Sequence, residues 1–330
     1  MSSPTLVREL TLVQALNEAL REEMRRDDSV VVLGEDVAGF GGVYKVTDGL
    51  LDEFGPARVR DTPISEAAIA GVGVGAAMTG MRPVVEIMFG DFLCLAMDQI
   101  INQAAKVRYM SGGRWQVPLV IRTTLGAGRR IAAQHSQSLH ALFAHIPGVK
   151  VVLPSSPADA KALLKAAIRD DDPVIFFEDK LMYREKGPVA EDDAAIELGR
   201  AAVKREGGDV TIVATSGMVG VALEAAELLS LEGIELEVVD PRTITPLDIG
   251  RIVESVRKTS RCVVVDQGYT RFGTTAEIAA SVAREAFFFL EAPVERLGAM
   301  DVPVPFSPAL EDLTIPSPET VVACVRELVG

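Results

Sequence analysis

Cysteine is scarce in this chain: three residues in 330, Cys94, Cys262 and Cys324, all far apart. An odd, dispersed set excludes a closed disulfide framework and a CxxC metal knuckle, and it fits a reducing compartment. Basic charge is also in deficit. Thirty-three Lys and Arg face 47 Asp and Glu, a net charge of −14, which argues against a general binder of nucleic-acid backbone. No run of eighteen apolar residues occurs and the opening decapeptide lacks a signal-peptide pattern, so a cytoplasmic protein without a membrane span is expected. The glycine-rich Gly39-Phe-Gly-Gly42 has neither GxGxxG spacing nor the Lys-Ser/Thr of a P-loop, which leaves a nucleotide site weakly supported. Aromatics supply only 5% of residues while there are 28 glycines, a balance suited to close helix-on-sheet packing.

What is present is the material for ordinary globular cores: 48% hydrophobic and 24% charged residues, over a length that suggests two domains. Leu12, Ala15, Leu16, Ala19, Leu20 and Met24 recur at helical spacing, which predicts an amphipathic helix over 11–26 with Thr11 as N-cap. Short continuous apolar runs read as buried parallel strands at 29–33, 58–62, 83–88, 118–123, 149–153 and 173–177. Helices are expected between them at 65–79, 92–110 and 158–169. A charged, Gly/Pro-bearing stretch then interrupts the pattern, and a second rhythm follows. Its strands fall at 210–214, 236–240, 262–266 and 294–297, its helices at 220–229, 247–258, 274–285 and 319–328. The expected fold class is therefore α/β, with parallel sheets covered by helices on both faces. The expected division is a first domain over 1–186, a linker over 187–199 and a second domain over 200–330.

One stretch carries a chemical signal. Asp61-Thr-Pro-Ile-Ser-Glu66 places a single carboxylate ahead of a helix made of Ala, Gly, Val and Ile. A carboxyl at such an apolar helix start suits proton transfer if it is desolvated. It is equally a simple helix-start acid. The three histidines cluster at His135, His140 and His145, but their spacing of five does not share a helical face, and no HxxxH pair supports zinc. His135, between Gln and Ser in a loop with Gly and Arg, suits polar contact with substrate and proton transfer near neutral pH. Arg122, Arg129 and Arg130 precede it and could attract a carboxylate or pyrophosphate; for the latter two a surface charge is the simpler reading. Phe89 and Phe92 follow a strand at the carboxyl edge of the expected sheet, where ligands bind in open α/β folds.

Several motifs together resemble one family. They are Gly34-Glu-Asp36, Asp61-Thr-Pro-Ile-Ser-Glu66, Asp98-Gln-Ile100, Ala104-Ala-Lys106, Tyr109-Met-Ser-Gly-Gly113, Gln134-His-Ser-Gln-Ser138 and Pro147-Gly-Val-Lys150, continued by Asp159-Ala-Lys161 and Asp172-Pro-Val174. Over nearly its whole length the chain resembles the β subunit of heterotetrameric thiamine-diphosphate-dependent 2-oxo acid dehydrogenases of the pyruvate, acetoin and branched-chain types. The resemblance implies a transketolase-like pyrimidine-binding domain followed by a transketolase C-terminal domain.

It also implies roles. Glu66 matches the glutamate that hydrogen-bonds the cofactor's aminopyrimidine and favours the imino tautomer that deprotonates the thiazolium carbon. Phe92 matches the aromatic residue packed on the pyrimidine, and Met88 a pocket position often filled by Gln. His135 matches the histidine that faces substrate and assists acyl transfer to lipoyl groups. Asp98 matches an acid of a proton relay between active sites, although a second relay acid falls on Leu95. Diphosphate and magnesium are held by the α subunit in that family, and this chain has no convincing copy of the motif. A structural potassium is implied near the carbonyls of Leu119, Ala167, Ile168 and Asp170, with Asp172 nearby. The implied partners are an α subunit in an α2β2 heterotetramer and a lipoylated acyltransferase, with no nucleic acid and no membrane. Pyruvate is the first substrate expected, acetoin next on Met88-Phe-Gly-Asp-Phe92 and Thr124-Leu-Gly-Ala-Gly128, then branched-chain 2-oxo acids. A self-sufficient transketolase-like enzyme fits the length poorly, and a purely structural assembly protein fits poorly with Glu66 and His135.

Overall fold

The computed structural model describes residues 7–191 and 194–330. The start of the opening decapeptide, and Asp192 and Asp193 of the expected linker, lie outside the described residues. The chain forms two compact units, one running up to Leu125 and again over Leu142–Leu198, the other over Gly126–Ala141 and Gly199–Gly330.

Up to Leu198 the elements are β1 (Val7–Thr11), α1 (Leu12–Arg26), β2 (Val30–Gly34), α2 (Leu50–Phe54), β3 (Val59–Asp61), α3 (Glu66–Met78) and β4 (Arg82–Ile87). They continue with α4 (Ala105–Met110), β5 (Val120–Leu125), a short α5 (His140–Ala144), β6 (Lys150–Val152), α6 (Pro157–Arg169), β7 (Val174–Asp179) and β8 (Lys186–Ala190). Six strands of the first unit form a parallel sheet in the order β6-β7-β5-β4-β2-β3. β1 and β8 make a separate antiparallel pair, so residues 187–190 of the stretch expected as linker lie in a strand.

α1 starts where the sequence places it: Thr11 accepts from the Gln14 N–H, and the Gln14 side chain takes the Thr11 N–H in return. Its buried face carries Leu12, Leu16, Leu20 and Met24 against Val30, Val32, Val84 and α6. Each such side chain contributes about 1.5–3 kcal/mol on burial.

α3 is apolar all round, so its buried face is chosen by size. Gly73 faces the sheet, where a Cβ would come within 2.8 Å of Val85 Cγ1 and 2.9 Å of Leu119 Cδ1. The other side leaves Val72 and, just ahead of the helix, Ile64 exposed to water at 60% and 74%.

The single helix expected over 92–110 is broken. A 3-10 segment covers Gly90–Ala96, wider π turns cover Gln99–Ala104, and a regular α-helix covers Ala105–Met110. Gly90 sits so close to the Thr124 carbonyl that a Cβ would lie 2.6 Å from it, and this tight approach sets how the segment leaves β4. Residues 99–104 are the widened kind of turn that recurs at functional sites.

The second unit holds β9 (Ala202–Arg205), β10 (Val210–Ala214), α7 (Met218–Ser230), β11 (Leu236–Asp240), β12 (Thr243–Thr245), α8 (Ile249–Thr259), β13 (Cys262–Tyr269), α9 (Thr274–Glu285), β14 (Glu295–Ala299), α10 (Pro308–Glu311) and α11 (Pro318–Val329). Its sheet runs β14-β13-β10-β11-β9, parallel except for β9, which is antiparallel to β11. Alternate residues of the strands face opposite cores. Val210, Ile212 and Val263 pack with α7 and α11, whereas Val213, Val239 and Val264 pack with α8 and α9. No helix among the described residues is long and apolar enough to cross a membrane.

Candidate active site

In the first unit β3 and β4 flank β2 on opposite sides, so the chain reverses its direction of growth at β2. Loops at the carboxyl ends of strands part at such a point and leave a crevice. The loops after β2, β3 and β4 begin there, and they carry Glu35 and Asp36, Glu66, and Met88 with Phe92. Two hydrogen bonds tie the first two loops together: Thr62 N–H to the Gly34 carbonyl at 2.9 Å, and Ala38 N–H to Asp61 Oδ1 at 2.7 Å.

Glu66 is the first residue of α3, half-buried, behind Ser65, whose side chain makes no capping bond. A carboxylate there interacts favourably with the helix N-terminus. Glu35 lies within its electrostatic reach. Burial first, then the charges of Asp36 and Glu66, raise the Glu35 carboxyl above its ordinary value. In the sequence, Gly34-Glu-Asp36 stands out as a family motif, with no role assigned to Glu35. The acidic lip beside Glu66 was visible in no spacing rule.

Met88 directly follows β4, half-buried, and its carbonyl accepts from Thr124 Oγ1 at 3.0 Å. Phe92 follows in the 3-10 segment that packs on α3, its ring edge-on to Phe89 at 5.7 Å between centroids. Asp98 is exposed and accepts from Asn102 Nδ2 at 2.6 Å, while Leu95, on the other relay position, is 62% exposed. The described loops around Glu66 offer a carboxyl, an aromatic ring and a thioether. That donor set fits a neutral aminopyrimidine and not a diphosphate.

Arg122 is not available to a ligand. It is buried with two prongs on Glu178 (2.7 and 2.8 Å) and one on Glu86 (2.7 Å), and the Tyr183 hydroxyl donates to Glu178 at 2.7 Å. The carboxylates it attracts are the protein's own. Burial, then the charge of Glu178, raises the Glu86 carboxyl despite Arg122. Met88 lines the small internal gap above this cluster.

The residues implied for potassium are in the first unit too. Arg82 Nη1 already donates to the carbonyls of Ile168 (3.0 Å) and Asp170 (2.9 Å). The Leu119 carbonyl accepts from Val174 N–H and that of Ala167 from Asp170 N–H. Lys150 pairs with Asp170 at 2.6 Å and Arg108 with Asp172 at 2.5 Å. Side-chain cations engage the Ile168, Asp170 and Asp172 oxygens and backbone N–H groups engage the Leu119 and Ala167 carbonyls, so these oxygens do not fit an added ion as they stand. A wide depression of 1230 Å3 runs along α1 between Arg8, Glu18 and Arg21. None of the residues singled out for chemistry lines it, and Arg8 and Arg21 are ion-paired with Glu18 and Glu53.

His135 belongs to the second unit, in the segment Gly126–Ala141. It is half-buried, and its neighbour Ser136 buries a hydroxyl that has no hydrogen-bond partner among the described residues. A buried, unsatisfied hydroxyl is a group left for water or ligand. His140 is fully buried with Nε2 2.8 Å from Asp266 Oδ2, and the Thr215 hydroxyl donates to the other oxygen of Asp266. Burial pushes the Asp266 carboxyl up, yet His140, Thr215 and the Gly268 N–H hold it below the ordinary aspartate value. His145 is exposed. The histidine cluster of the sequence is thus one half-buried, one buried and one exposed side chain.

Comparison with known proteins adds the context. The profile of the family described as "Transketolase, pyrimidine binding domain" matches residues 8–186, and "Transketolase, C-terminal domain" matches 199–321. The acetoin:2,6-dichlorophenolindophenol oxidoreductase subunit beta of Bacillus subtilis is 51% identical, covering 98% of each chain. The chain belongs to the transketolase-like β subunits of the 2-oxo acid and acetoin dehydrogenases. In this family the pyruvate dehydrogenase E1 component subunit beta-1 of Arabidopsis thaliana is 50% identical over 97% of this chain and 90% of that protein. The 2-oxoisovalerate dehydrogenase subunit beta of Bacillus subtilis is 48% identical over 97% and 98%. A solved structure described as a split gene transketolase, inactive beta4 tetramer, superposes with a TM-score of 0.79 at 28% identity, over 97% of this chain and 98% of that one.

Proposed function

We propose that this chain is the β subunit of the thiamine-diphosphate-dependent component of a 2-oxo acid dehydrogenase complex, with pyruvate as first substrate. It acts with an α subunit in an α2β2 heterotetramer and acylates a lipoyl group on an acyltransferase partner. The observation that carries the reading is Glu66 at the start of an apolar helix, on the switch point of the sheet, with Met88 and Phe92 on the next loop. When bound, thiamine diphosphate supplies a carbon nucleophile and a sink for the electrons of the cleaved bond. Glu66 holds a proton at its carboxyl and donates it to the pyrimidine ring. Phe92 packs on that ring and Met88 closes the pocket beside it. His135 holds and moves a proton at its imidazole during transfer to the lipoyl group. Asp98 is the relay candidate on this chain, and Leu95 leaves that relay without its second acid. Diphosphate and magnesium fall to the α subunit, since no chain motif here supplies their donors.

A second reading is acetoin cleavage with the same transfer. The 51% identity to an acetoin-type subunit over 98% of the chain favours it, as does the run Met88–Phe92. The experiment is co-expression with the α-type chain from the same source, then turnover on pyruvate, acetoin and branched-chain 2-oxo acids. Highest kcat/KM on pyruvate supports the first reading and on acetoin the second. Full turnover by this chain alone would overturn the heterotetramer.

A further inference from the structure

The segment Gly126–Ala141 stands between strands of the first unit in sequence and is part of the second unit in space. Its backbone takes positive φ at every other residue: Gly126 (96°), Gly128 (93°), Arg130 (61°) and Ala132 (61°). Glycine adopts this conformation freely. Arg130 and Ala132 carry a Cβ into it against steric strain. Something must hold them.

Such an arrangement can gather main-chain N–H groups into a concave cradle for an anion. Here the anion is Glu311, whose side chain is fully buried. Its Oε1 accepts from the Gly128 N–H at 2.7 Å, and its Oε2 from the Arg130 N–H at 3.1 Å and Arg130 Nη1 at 2.8 Å. Asp312 takes the guanidinium from the other side at 2.6 and 3.0 Å. Charge-assisted bonds of this kind are about twice as strong as neutral ones.

The far end of the segment is fastened as well. His140 is sunk completely, with its Nε2 on Asp266, which Thr215 also grips. Gly268 leaves room for that bond, because a Cβ there would come within 2.8 Å of Asp266 Oδ2 and 3.3 Å of the His140 ring. Between the two clamps lie Gln134, His135 and the buried Ser136.

We propose that Glu311 and Asp266 are positioning residues: gripping the backbone at Gly128–Arg130 and the ring of His140, they hold His135 in a preformed, strained loop. This rests on the transfer role proposed for His135. The clamps work as a pair, one on charge and a main-chain cradle, the other on a buried imidazole.

The test uses the full chain co-expressed with its α partner. Arg129 and Arg130 are trypsin sites, so proteolysis reads the clamp independently of catalysis. Glu311→Gln keeps the shape and removes the charge, and it is expected to raise cleavage at these sites by about tenfold, as the open state gains population. His140→Ala is expected to slow transfer to the lipoyl domain by about ten- to a hundredfold while substrate KM stays within about twofold, since a displacement near 1 Å suffices for such a loss. His140→Gln, which retains a donor toward Asp266, is expected to recover most of that rate. Unchanged cleavage and unchanged transfer in soluble Glu311→Gln and His140→Ala proteins would overturn the proposal. If Glu311→Gln does not fold, Asp312→Asn and His140→Ala give the same two readouts, and a null result in both sinks it equally. Increased cleavage with normal transfer in His135→Ala would leave the clamp standing and refute instead the role given to His135.

Discussion

Arg122 and Glu178 form a two-pronged ion pair inside the first unit, at 2.7 and 2.8 Å, with Glu86 on the third face of the guanidinium at 2.7 Å. One cation thus serves two buried carboxylates. Replacing it with an apolar residue leaves both carboxylates without their counter-ion, an arrangement that costs about 3–5 kcal/mol. Arg122→Met should therefore lower the unfolding free energy of the full chain, read from urea titrations, by that much. A change below about 1 kcal/mol would mean that water reaches the cluster.

Glu86 makes stability depend on pH. Its folded carboxyl is raised, by burial first and by Glu178 next. The native state holds this proton more tightly than the unfolded chain, so the contribution is full below the ordinary glutamate value of 4.5 and is lost as pH rises through the raised folded value. Glu86→Gln should flatten that portion of a stability-against-pH curve measured by thermal melts. Parallel curves for both proteins would rule the assignment out.

Glu66→Gln in the reconstituted complex should slow exchange of the cofactor's C2 proton, read by quenched deuterium exchange, by about two or more orders of magnitude. Circular dichroism of the variant should match the parent, because Glu66 contributes no capping or core contact that Gln cannot replace. Normal exchange would remove Glu66 from the chemistry.

For His135→Ala the expected loss is about 10²- to 10⁴-fold in acylation of a lipoyl domain. Turnover with an artificial electron acceptor should fall much less. Equal losses in both assays would place His135 in the cleavage step and not in transfer.

Ile64 and Val72 leave apolar side chains in water beside Glu66. Val72→Glu should leave the chain folded and weaken association with the α subunit by about tenfold or more in Kd, roughly 1.4 kcal/mol, as titrated by analytical ultracentrifugation. An unaltered Kd would put the partner on another face.

Most of the fold was legible because parallel strands are covered on both faces and announce themselves as continuous apolar runs. The strands Val210–Ala214 and Leu236–Asp240 and the helix Thr274–Glu285 stand where periodicity puts them. Pairings between distant edge segments were not legible. β1 and β8 hold Arg8, Glu9, Lys186 and Pro188 among few apolar residues, and nothing local says that they meet. The expected helix over 92–110 has good periodicity, but the close approach of Gly90 to the Thr124 carbonyl is a tertiary fact. Charges misled for the same reason. Arg122 finds its partners 36 and 56 residues away, so it looked available to a ligand, and Arg130, read more simply as a surface charge, is held by Glu311 181 residues away. Glu66 and His135 were recognisable through the motifs around them, not through spacing.

The outward side of α3 has a consequence for the chain's life before assembly. If a partner covers this side of α3, where valine and glycine face water, the state of the folded chain is set by the abundance of that second protein. By mass action, any partner that covers this stripe adds to the stability of the folded chain in proportion to the logarithm of its concentration. In that case the melting temperature of this chain is a property of a mixture, and chain made in excess of its partner is the fraction expected to be lost to degradation.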